Sequence, residues 1–515
     1  MFKRLFLLGI LLFVFKVGFA QNPLGPCGTA PEKSAWLQKY QAAPAAYQKN
    51  LDTIIYVPLT IHLLGTDEGL GFFNYRNLME AFCTLNEDYE SANIQFYMEG
   101  EVHYIQNTAW FEHETLLEGG QMMFANNVEH TLNCYFVADP AGNCGYALPY
   151  AGLAVAKSCA NPNDHTWSHE VGHALSLPHP FLGWEGGVSY DDSVPPNFNA
   201  PAPLTVTYDY TFFQDTLILD TLIIDTAYVE FVDGSNCGIA ADGFCDTSPD
   251  YLANRWFCDG NMESATQQKD PSGATFKSDG TLIMSYSDDA CAYRFSAEQM
   301  AAMRANLYDE KSDYLYNQTT ENPVATTAVL LSPSNDQPVQ YNYVPLEWEE
   351  VANATHYLVE VSLLSSFPLT VTKTYVSTEN SIVLEDLQDQ KKYYWRIRGF
   401  NRQHFCAAYS GYESFETENL LKVNSIDGLS ALNLYPNVLN PGVALHVEAL
   451  ASQNAEGKML LFNNLGQIMT EMPFTFYAGM NNMLFEIREN LPEGLYFFTL
   501  NVDGQFFTQK VILAN

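Results

Sequence analysis

Three histidines and one glutamate are spaced as the ligands and the general base of a hydrolytic metal site. His169 and His173 stand four positions apart, so on a helix both imidazoles lie on one face and reach the same ion. If the helix breaks after His173, His179 becomes a third nitrogen ligand, and zinc keeps its fourth position open for water. Glu170 lies next to the first ligand and could take a proton from that water. The pattern predicts zinc-assisted hydrolysis of a carbonyl compound.

The competing interpretation is that these are unrelated histidines of a surface helix and loop. His-Glu-x-x-His arises by chance in many proteins, but a third histidine at this distance makes coincidence a poor explanation. His165 is close to the set, and it is expected to begin the helix or to lie on the surface. The metal is therefore predicted on His169, His173 and His179.

The longer pattern around these residues resembles the metzincin zinc peptidases. Their signature is His-Glu-x-x-His-x-x-Gly-x-x-His, followed downstream by a turn that contains a methionine. This chain matches it except that Ser176 stands at the glycine position. If the backbone there is left-handed, a serine costs on the order of 1 kcal/mol more than a glycine. Residues 282–291 (Leu-Ile-Met-Ser-Tyr-Ser-Asp-Asp-Ala-Cys) resemble the methionine-containing turn.

Within the metzincins, residues from about 51 to 310 resemble the pappalysin group. Besides the histidines, four segments carry this resemblance: Asn86–Tyr89, Gly145–Ala147, Gly243–Pro249 and the turn that ends at Cys291. The resemblance implies zinc on the three histidines, with Glu170 as the general base. It also implies that Met284 forms the apolar floor beneath the zinc and that Tyr286 stabilises the oxyanion of the tetrahedral intermediate.

Some members of this group bind structural calcium. Asp242 and Asp246, together with Asp288 and Asp289, could supply the hard oxygen ligands that calcium prefers. The alternative is that they are solvated loop carboxylates of a very acidic chain. Relatives that prefer arginine in their substrates carry an acidic residue near the methionine turn. Asp288 and Asp289 therefore leave a preference for basic residues open.

Residues 27–29 (Cys-Gly-Thr) resemble the short motif by which relatives keep their zymogens inactive. The thiolate of Cys27 would fill the fourth zinc position and exclude water. The alternatives are that Cys27 joins a disulfide or is an idle thiol. Nine of the ten cysteines precede residue 300, so one unpaired thiol is expected in that part. The resemblance also implies a disulfide between Cys258 and Cys291 and leaves the partner of Cys245 open.

The elements around these motifs predict an α/β (α+β) catalytic domain over residues 51–320. A β-branched and aromatic run at 54–62 is typical of a strand. Apolar residues then repeat at helical spacing between 78 and 89. Further strands are predicted at 94–98 and 132–137. The expected fold is a mixed sheet packed against the zinc-binding helix and at least one other helix.

An insert and two all-β sandwich domains complete the predicted architecture. A hairpin or flap is expected within an insert at about 187–235. Residues 325–418 resemble a fibronectin type III domain, in which Trp348 fills the core and Tyr393 makes the tyrosine corner. Residues 425–515 resemble the C-terminal sorting domain of the type IX secretion system of certain Gram-negative bacteria, which implies that secretion machinery as a partner. An ordinary terminal β-sandwich is the alternative.

The beginning of the chain has the pattern of a cleaved secretory signal peptide. Residues 1–20 contain two basic residues, an apolar run and small residues before the expected cleavage site. The run is too short for a transmembrane anchor. Residues 21–50 are rich in Ala, Pro and Gln and are predicted to be a propeptide or loose leader. The net charge of −36, with only 24 Lys and Arg, argues against nucleic acid as a partner.

Together these features predict a secreted zinc-dependent endopeptidase that cleaves extracellular proteins or peptides and is held latent by Cys27. The alternative is a catalytically impaired surface-binding or adhesion protein of metzincin fold, in which Ser176 marks lost activity. The complete ligand set with Glu170 disfavours that alternative. A zinc hydrolase of non-peptide substrates is disfavoured by the methionine turn.

Overall fold

A computed structural model of the 515-residue chain describes residues 24–47, 52–185, 198–209, 224–324, 328–418, 426–440, 442–488, 490–502 and 504–514. These residues form two compact units. The first contains the described residues up to 324 together with 400–407, and the second contains 328–399 and 408–514. The predicted signal peptide at 1–20 lies outside the described residues. None of the described helices is long and apolar enough to cross a bilayer.

The first unit contains both helices and strands, which confirms the predicted mixed α/β character. Its helices are α1 (Ala35–Ala42), α2 (Tyr75–Tyr89), α3 (Thr108–Phe111), α4 (Leu116–Asn126), α5 (Thr166–Ala174) and α6 (Ala297–Asp309). Its strands are β1 (Ile55–Gly65), β2 (Ile94–Met98), β3 (His103–Gln106), β4 (Glu112–His113), β5 (Leu132–Val137), β6 (Asp139–Pro140), β7 (Gly145–Leu148), β8 (Gly152–Ala156), β9 (Thr205–Asp209), β10 (Ile224–Tyr228), β11 (Gln268–Lys269) and β12 (Thr275–Phe276).

A mixed sheet with the order β2-β1-β5-β8-β7 forms the centre of this unit, and β3 also pairs with β1. β1 runs parallel to β2 and β5, and β5 runs parallel to β8. All eleven residues of β1 are buried, as expected for a strand covered on both faces. The edge strand β7 is antiparallel to β8. Such an edge offers unpaired backbone groups to a neighbouring extended segment.

Helices α2 and α5 contact each other through side chains from the helical repeat between 78 and 89. The ring centroids of Phe82 in α2 and Trp167 in α5 lie 5.6 Å apart. Trp167 also meets Phe136 of β5, with 4.8 Å between centroids. The hydroxyl of Tyr89 donates a hydrogen bond to the backbone oxygen of Ser168 at 2.9 Å. α2 therefore positions the helix that carries the first two histidines.

The predicted insert at about 187–235 is described only at its two sides. β9 and β10 pair antiparallel, with Asp209 opposite Ile224. Residues 186–197 and 210–223 lie outside the described residues, and they include most of the near-repeat behind the hairpin prediction.

The second unit contains one short 3-10 helix, Leu369–Val371, and its other regular elements are strands, as predicted for its residues. They are β13 (Leu330–Ser332), β14 (Gln337–Gln340), β15 (Val344–Trp348), β16 (His356–Ser362), β17 (Thr372–Ser377), β18 (Ser381–Leu384), β19 (Lys391–Phe400), β20 (Glu413–Glu418), β21 (Leu429–Tyr435), β22 (Val438–Leu439), β23 (Ala444–Ala451), β24 (Ala455–Asn463), β25 (Ile468–Phe476), β26 (Gly479–Glu486), β27 (Gly494–Val502) and β28 (Gln505–Leu513).

Each half of the second unit contains a three-stranded and a five-stranded sheet. The sheets are β13-β15-β18 and β14-β20-β19-β16-β17 in the first half, and β21-β23-β26 and β22-β28-β27-β24-β25 in the second. Trp348 is fully buried in the first half. The hydroxyl of Tyr393 accepts a hydrogen bond from the backbone N–H of Gln388 at 3.0 Å, which is the contact expected of a tyrosine corner. In the second half, Phe485 and Phe498 link the two sheets, with centroids 5.1 Å apart.

Four disulfides form among the described residues: Cys83–Cys406, Cys144–Cys159, Cys237–Cys245 and Cys258–Cys291. The bridge expected between Cys258 and Cys291 is therefore present, and Cys245 has Cys237 as its partner. Two buried thiols are free, Cys27 and Cys134, where the count of cysteines predicted one. That prediction was wrong because Cys83 pairs far along the chain with Cys406.

Residues 400–407 belong to the first unit, whereas the sequence placed them in the fibronectin-like domain. The backbone oxygen of Arg402 accepts a hydrogen bond from the N–H of Met98 at the end of β2, at 2.9 Å. Gln95 of β2 donates to the backbone oxygen of Gln403 at 3.0 Å. Hydrogen bonds and the Cys83–Cys406 bridge thus tie this segment to the α/β unit.

Candidate metal centre

Helix α5 holds two of the three predicted ligands on one face and then ends sharply. The N–H of Leu177 bonds back to the oxygen of Gly172 at 2.9 Å, which closes the end of the helix. Ser176 has a φ of +73°, so the predicted glycine position is left-handed in this structure. The Ser176 hydroxyl accepts a hydrogen bond from Asn306 of α6 at 3.1 Å, a contact that glycine would lack. This contact offsets part of the roughly 1 kcal/mol that a left-handed serine costs.

The structure brings His169, His173 and His179 together around one point. Their Nε2 atoms lie 3.1 Å (His169 to His173), 3.1 Å (His169 to His179) and 3.0 Å (His173 to His179) apart. The Nδ1 of His169 faces the backbone oxygen of Ile283, and the Nδ1 of His173 faces that of Leu177. The Nδ1 of His179 faces a side-chain carboxyl oxygen of Glu185. In a neutral imidazole that donates from Nδ1, the Nε2 carries a lone pair and no proton. Three such lone pairs repel one another unless a cation lies between them.

This donor set fits zinc. Tetrahedral zinc with bonds of about 2.0–2.1 Å to nitrogen places its ligand atoms roughly 3.3 Å apart. Together with the thiol of Cys27, whose Sγ lies 3.6 Å from the Nε2 of His173, the four ligand atoms all lie within 4.8 Å of one another. Burial lowers the pKa of His169 and His179 to about 3, with the neighbouring imidazole adding to the effect at His169. The rings therefore stay neutral, as metal ligation requires.

Glu170 is completely buried beside the ligands, in contact with the edge strand β7. Burial raises the pKa of its carboxyl to about 8, which suits a group that accepts and returns a proton near neutral pH. A Cβ at Gly145 would lie 2.7 Å from the Cγ of Glu170. The glycine of the Gly-Tyr-Ala segment therefore permits the close approach of strand and carboxylate.

Met284 and Tyr286 both lie close to the three histidines and the helix that carries two of them. Met284 is fully buried, and a side chain at Gly172 of α5 would collide with its sulfur, so the methionine packs directly against α5. The Tyr286 ring lies against the ligands, with its centroid 5.9 Å from that of His169 and 4.9 Å from that of His179. Met284 and Tyr286, both in the methionine-containing turn, thus lie beside the candidate metal centre.

The leader segment around Cys27 runs along the edge strand β7. The N–H of Gly28 donates to the oxygen of Gly145 at 2.8 Å. The Thr29 hydroxyl accepts from the N–H of Ala147 at 2.8 Å and donates to a Glu170 oxygen at 3.0 Å. Burial raises the pKa of the Cys27 thiol well above its ordinary value, and the nearby charge of Glu170 adds to this. A bound dication would reverse that preference, because the thiolate is the metal-binding form.

Helix α1 anchors the leader a few residues further on. Lys33 is half-buried, and burial lowers its pKa, although the nearby charges of Asp242 and Glu230 counteract part of this effect. Gln41 donates a hydrogen bond to the backbone oxygen of Asp242 at 2.7 Å. Trp36, Leu37 and Tyr40 of α1 are buried as well. The described part of the predicted leader, residues 24–47, therefore packs on the first unit.

The candidate calcium residues do not share one set of contacts. Asp242 is buried, and one of its oxygens accepts from the N–H of Phe244 and the hydroxyl of Thr247, at 3.0 and 3.1 Å. Asp246 accepts instead from the N–H of Glu298 at 2.8 Å. Within the described residues, the group of three or more metal-binding side chains is Cys27 with the three histidines. Calcium stays a prediction.

A small cavity lies beside the metal centre, and Pro26 of the leader, His169 and Tyr286 are among its lining residues. Asp289 lines it as well, but one of its oxygens accepts from the N–H of His165 at 3.1 Å and the other faces Arg255 at 3.4 Å. Asp288 is not among the lining residues. Of the two aspartates in the turn, Asp289 is therefore the one that faces the cavity.

Asp88 and Glu185 are site-supporting residues that sequence reasoning missed. Asp88 of α2 accepts hydrogen bonds from His165 at 2.8 Å and from Ser168 at 2.5 Å, so it holds the start of α5. His165 begins this helix, as predicted. Burial lowers the pKa of His165, but the hydrogen bond and charge of Asp88 raise it more. Asp88 lies within Asn86–Tyr89, a segment that carried the family resemblance, but no role was predicted for it. No sequence motif included Glu185.

Comparison with known proteins adds little to this geometry. No protein-family model and no curated protein matches the sequence. Among solved structures, the crystal structure of chicken CNTN1 FN1–FN3 domains is similar to this chain with a TM-score of 0.22 and 8% identity, over 38% of this chain and 70% of that chain. At this TM-score the similarity carries no argument about fold or function.

Proposed function

We propose that this protein is a zinc-dependent endopeptidase that hydrolyses peptide bonds of extracellular proteins and is made in a latent form. The observation that carries the proposal is the set of three Nε2 atoms that face one point about 3 Å from one another, with Glu170 on the same helix as His169 and His173. Bound zinc would polarise the scissile carbonyl and lower the pKa of a water molecule. His169, His173 and His179 would hold it.

The side chains around that point fit the steps of peptide hydrolysis. Glu170 takes the proton of the attacking water and passes it to the leaving amine. The Tyr286 hydroxyl donates a hydrogen bond to the oxyanion that forms on the scissile carbonyl. The backbone of β7 pairs with an extended peptide, in the way that the leader pairs with it now. Met284 packs beneath the zinc helix and keeps the ligand face in place.

Latency follows from the position of the leader. The Sγ of Cys27 lies within 4.8 Å of the three histidine nitrogens, so it would supply the fourth ligand, and Thr29 donates a hydrogen bond to Glu170. Substrate and leader would compete for the same strand edge, so the enzyme becomes active only when the leader leaves. Secretion through a signal peptide at 1–20 and a type IX sorting domain at 425–515 is part of the proposal. Four disulfides suit an oxidising compartment outside the cytoplasm.

Metal removal tests the proposed activity. The protein freed of its leader should contain about one zinc ion per chain and cleave casein or gelatin. A chelator should abolish cleavage, and added zinc should restore it, because the hydrolytic water needs the metal. Cleavage that survives complete zinc removal would contradict the proposal. Failure of the zinc-loaded, leader-free protein to cleave any protein would favour a binding role.

Replacement of Arg255 by alanine should change substrate preference. The guanidinium partly neutralises Asp289 in the cavity beside the metal centre. Its removal leaves the carboxylate without a counter-charge, so substrates with Lys or Arg facing the cavity should gain roughly 3- to 10-fold in kcat/KM relative to those with Ala. The ratio is measured on a pair of peptides that differ only at that position. Asp288→Asn serves as control and should leave the ratio unchanged; an unchanged ratio in Arg255→Ala would rule out Asp289 as the selecting group.

A further inference from the structure

Two of the three candidate ligands are oriented by the helix and by neutral backbone groups. His169 and His173 project from one face of α5, so the helix itself sets their directions. The Nδ1 of His169 donates to the carbonyl of Ile283 at 2.8 Å, and the Nδ1 of His173 donates to that of Leu177 at 2.7 Å. Both acceptors are backbone carbonyls, so neither Nδ1 relies on a side-chain acceptor.

The third candidate ligand, His179, is oriented by a side chain and not by a helix. α5 ends at Ala174, and the chain passes through the left-handed Ser176 before it reaches His179. No helix or strand contains His179, so no regular element sets the direction of its ring. Its Nδ1 donates to a carboxylate oxygen of Glu185 at 3.0 Å. Among the three candidate ligands, this is the one whose Nδ1 pairs with a side-chain carboxyl group.

Glu185 is itself held in place. It is 6% exposed, and its second oxygen accepts from the N–H of Gly183 at 2.7 Å. The turn between ligand and carboxylate is closed by a bond from the N–H of Leu182 to the oxygen of His179 at 3.1 Å. The ring of Phe181 stacks on the imidazole, with centroids 4.6 Å apart and planes 12° apart. The imidazole is thus fixed by a carboxylate on one edge and by an aromatic ring on one face.

We propose that Glu185 is a positioning residue that makes His179 a strong zinc ligand. Its carboxylate keeps the proton on Nδ1, so the Nε2 lone pair points toward the other two ligands. A negative acceptor also makes the imidazole more basic than a neutral carbonyl does. The inference rests on the proposed zinc function and adds the residue that compensates for the irregular segment carrying the third ligand.

Zinc affinity of the full chain tests this role directly. Glu185→Ala should weaken zinc binding by about 10- to 100-fold, measured by competition with a chromophoric chelator. Glu185→Gln keeps an acceptor for Nδ1 without the charge, so it should lose less. Because glutamine preserves the volume of this buried side chain, it also keeps the test usable if the alanine variant does not fold. The Co²⁺-substituted protein reports the same change as an altered ligand-field spectrum in Glu185→Ala.

Asp88→Asn is the matched control, since Asp88 also pairs with a histidine and supports α5 but touches no ligand. It should lower the melting temperature and leave zinc affinity within about twofold. Wild-type zinc affinity and cobalt spectrum in Glu185→Ala would overturn the inference while leaving the proposed function intact. Equal losses of zinc affinity in Asp88→Asn and Glu185→Ala would also overturn it, because they would indicate a general structural effect. Zinc binding that does not depend on His173 would overturn the proposed function as well.

Discussion

Glu170→Gln is expected to lower kcat/KM for a protein substrate by roughly 10²- to 10⁴-fold, the usual contribution of a general base. Glutamine has the same shape and keeps an acceptor for the Thr29 hydroxyl, but it cannot take a proton from the attacking water. The zinc content should stay at the wild-type level because Glu170 is not a ligand. The measurement is casein hydrolysis after a protease of another class has removed the leader from both proteins.

Glu118→Gln is a suitable control for this loss. Glu118 also lies on a helix, but its oxygen closes the capping box of α4 by accepting from Thr115. Glutamine preserves that acceptor, so activity should be unchanged. If Glu170→Gln retains wild-type activity with normal zinc content, the carboxylate is not the general base and the proposed mechanism is wrong.

Cys27→Ala is expected to shorten the lag before autoactivation by at least about tenfold. The substitution removes the fourth ligand, so water can reach the metal while the leader is still attached. Activation should not be instantaneous, because Thr29 still bonds to Glu170 and Gln41 of α1 still donates a hydrogen bond to the backbone oxygen of Asp242. The lag is measured from the appearance of caseinolytic activity and of the shortened chain on a gel.

The second free thiol provides the control for this experiment. Cys134 is fully buried in β5, and its replacement by alanine removes a thiol without touching the leader. Cys134→Ala should keep the wild-type lag. If the lag is the same in Cys27→Ala as in wild type, Cys27 does not maintain latency, and the contacts of α1 would have to account for it.

The contacts of the leader explain why Cys27→Ala and Glu170→Gln test different steps. Cys27 and Thr29 meet the metal centre itself, whereas Trp36 and Lys33 dock on other parts of the first unit. Buried aromatic side chains of α1 keep the leader bound even when the thiol is lost. Under the proposed function, loss of Cys27 therefore affects access to the metal, and loss of Glu170 affects the chemical step.

The sequence by itself determined the features that depend on the spacing of residues close together in the chain. His169 and His173 project together because a helix repeats every 3.6 residues, and the mixed α/β character followed from local strand and helix periods. The left-handed backbone at Ser176 could be anticipated because the chain must reverse between the second and third ligands. The bridge between Cys258 and Cys291 was implied by a resemblance, since spacing alone leaves many pairings open.

Only the tertiary structure decided the contacts between residues that are distant in sequence or lack a recognisable period. The sequence does not show that Cys83 pairs with Cys406, and this pairing is why two thiols stay free instead of one. Gln41 donates a hydrogen bond to the backbone oxygen of Asp242, 201 positions further along the chain, so no local pattern links them. Glu185 is only six positions from His179, but an irregular turn joins them, and irregular turns have no repeat from which a direction can be read.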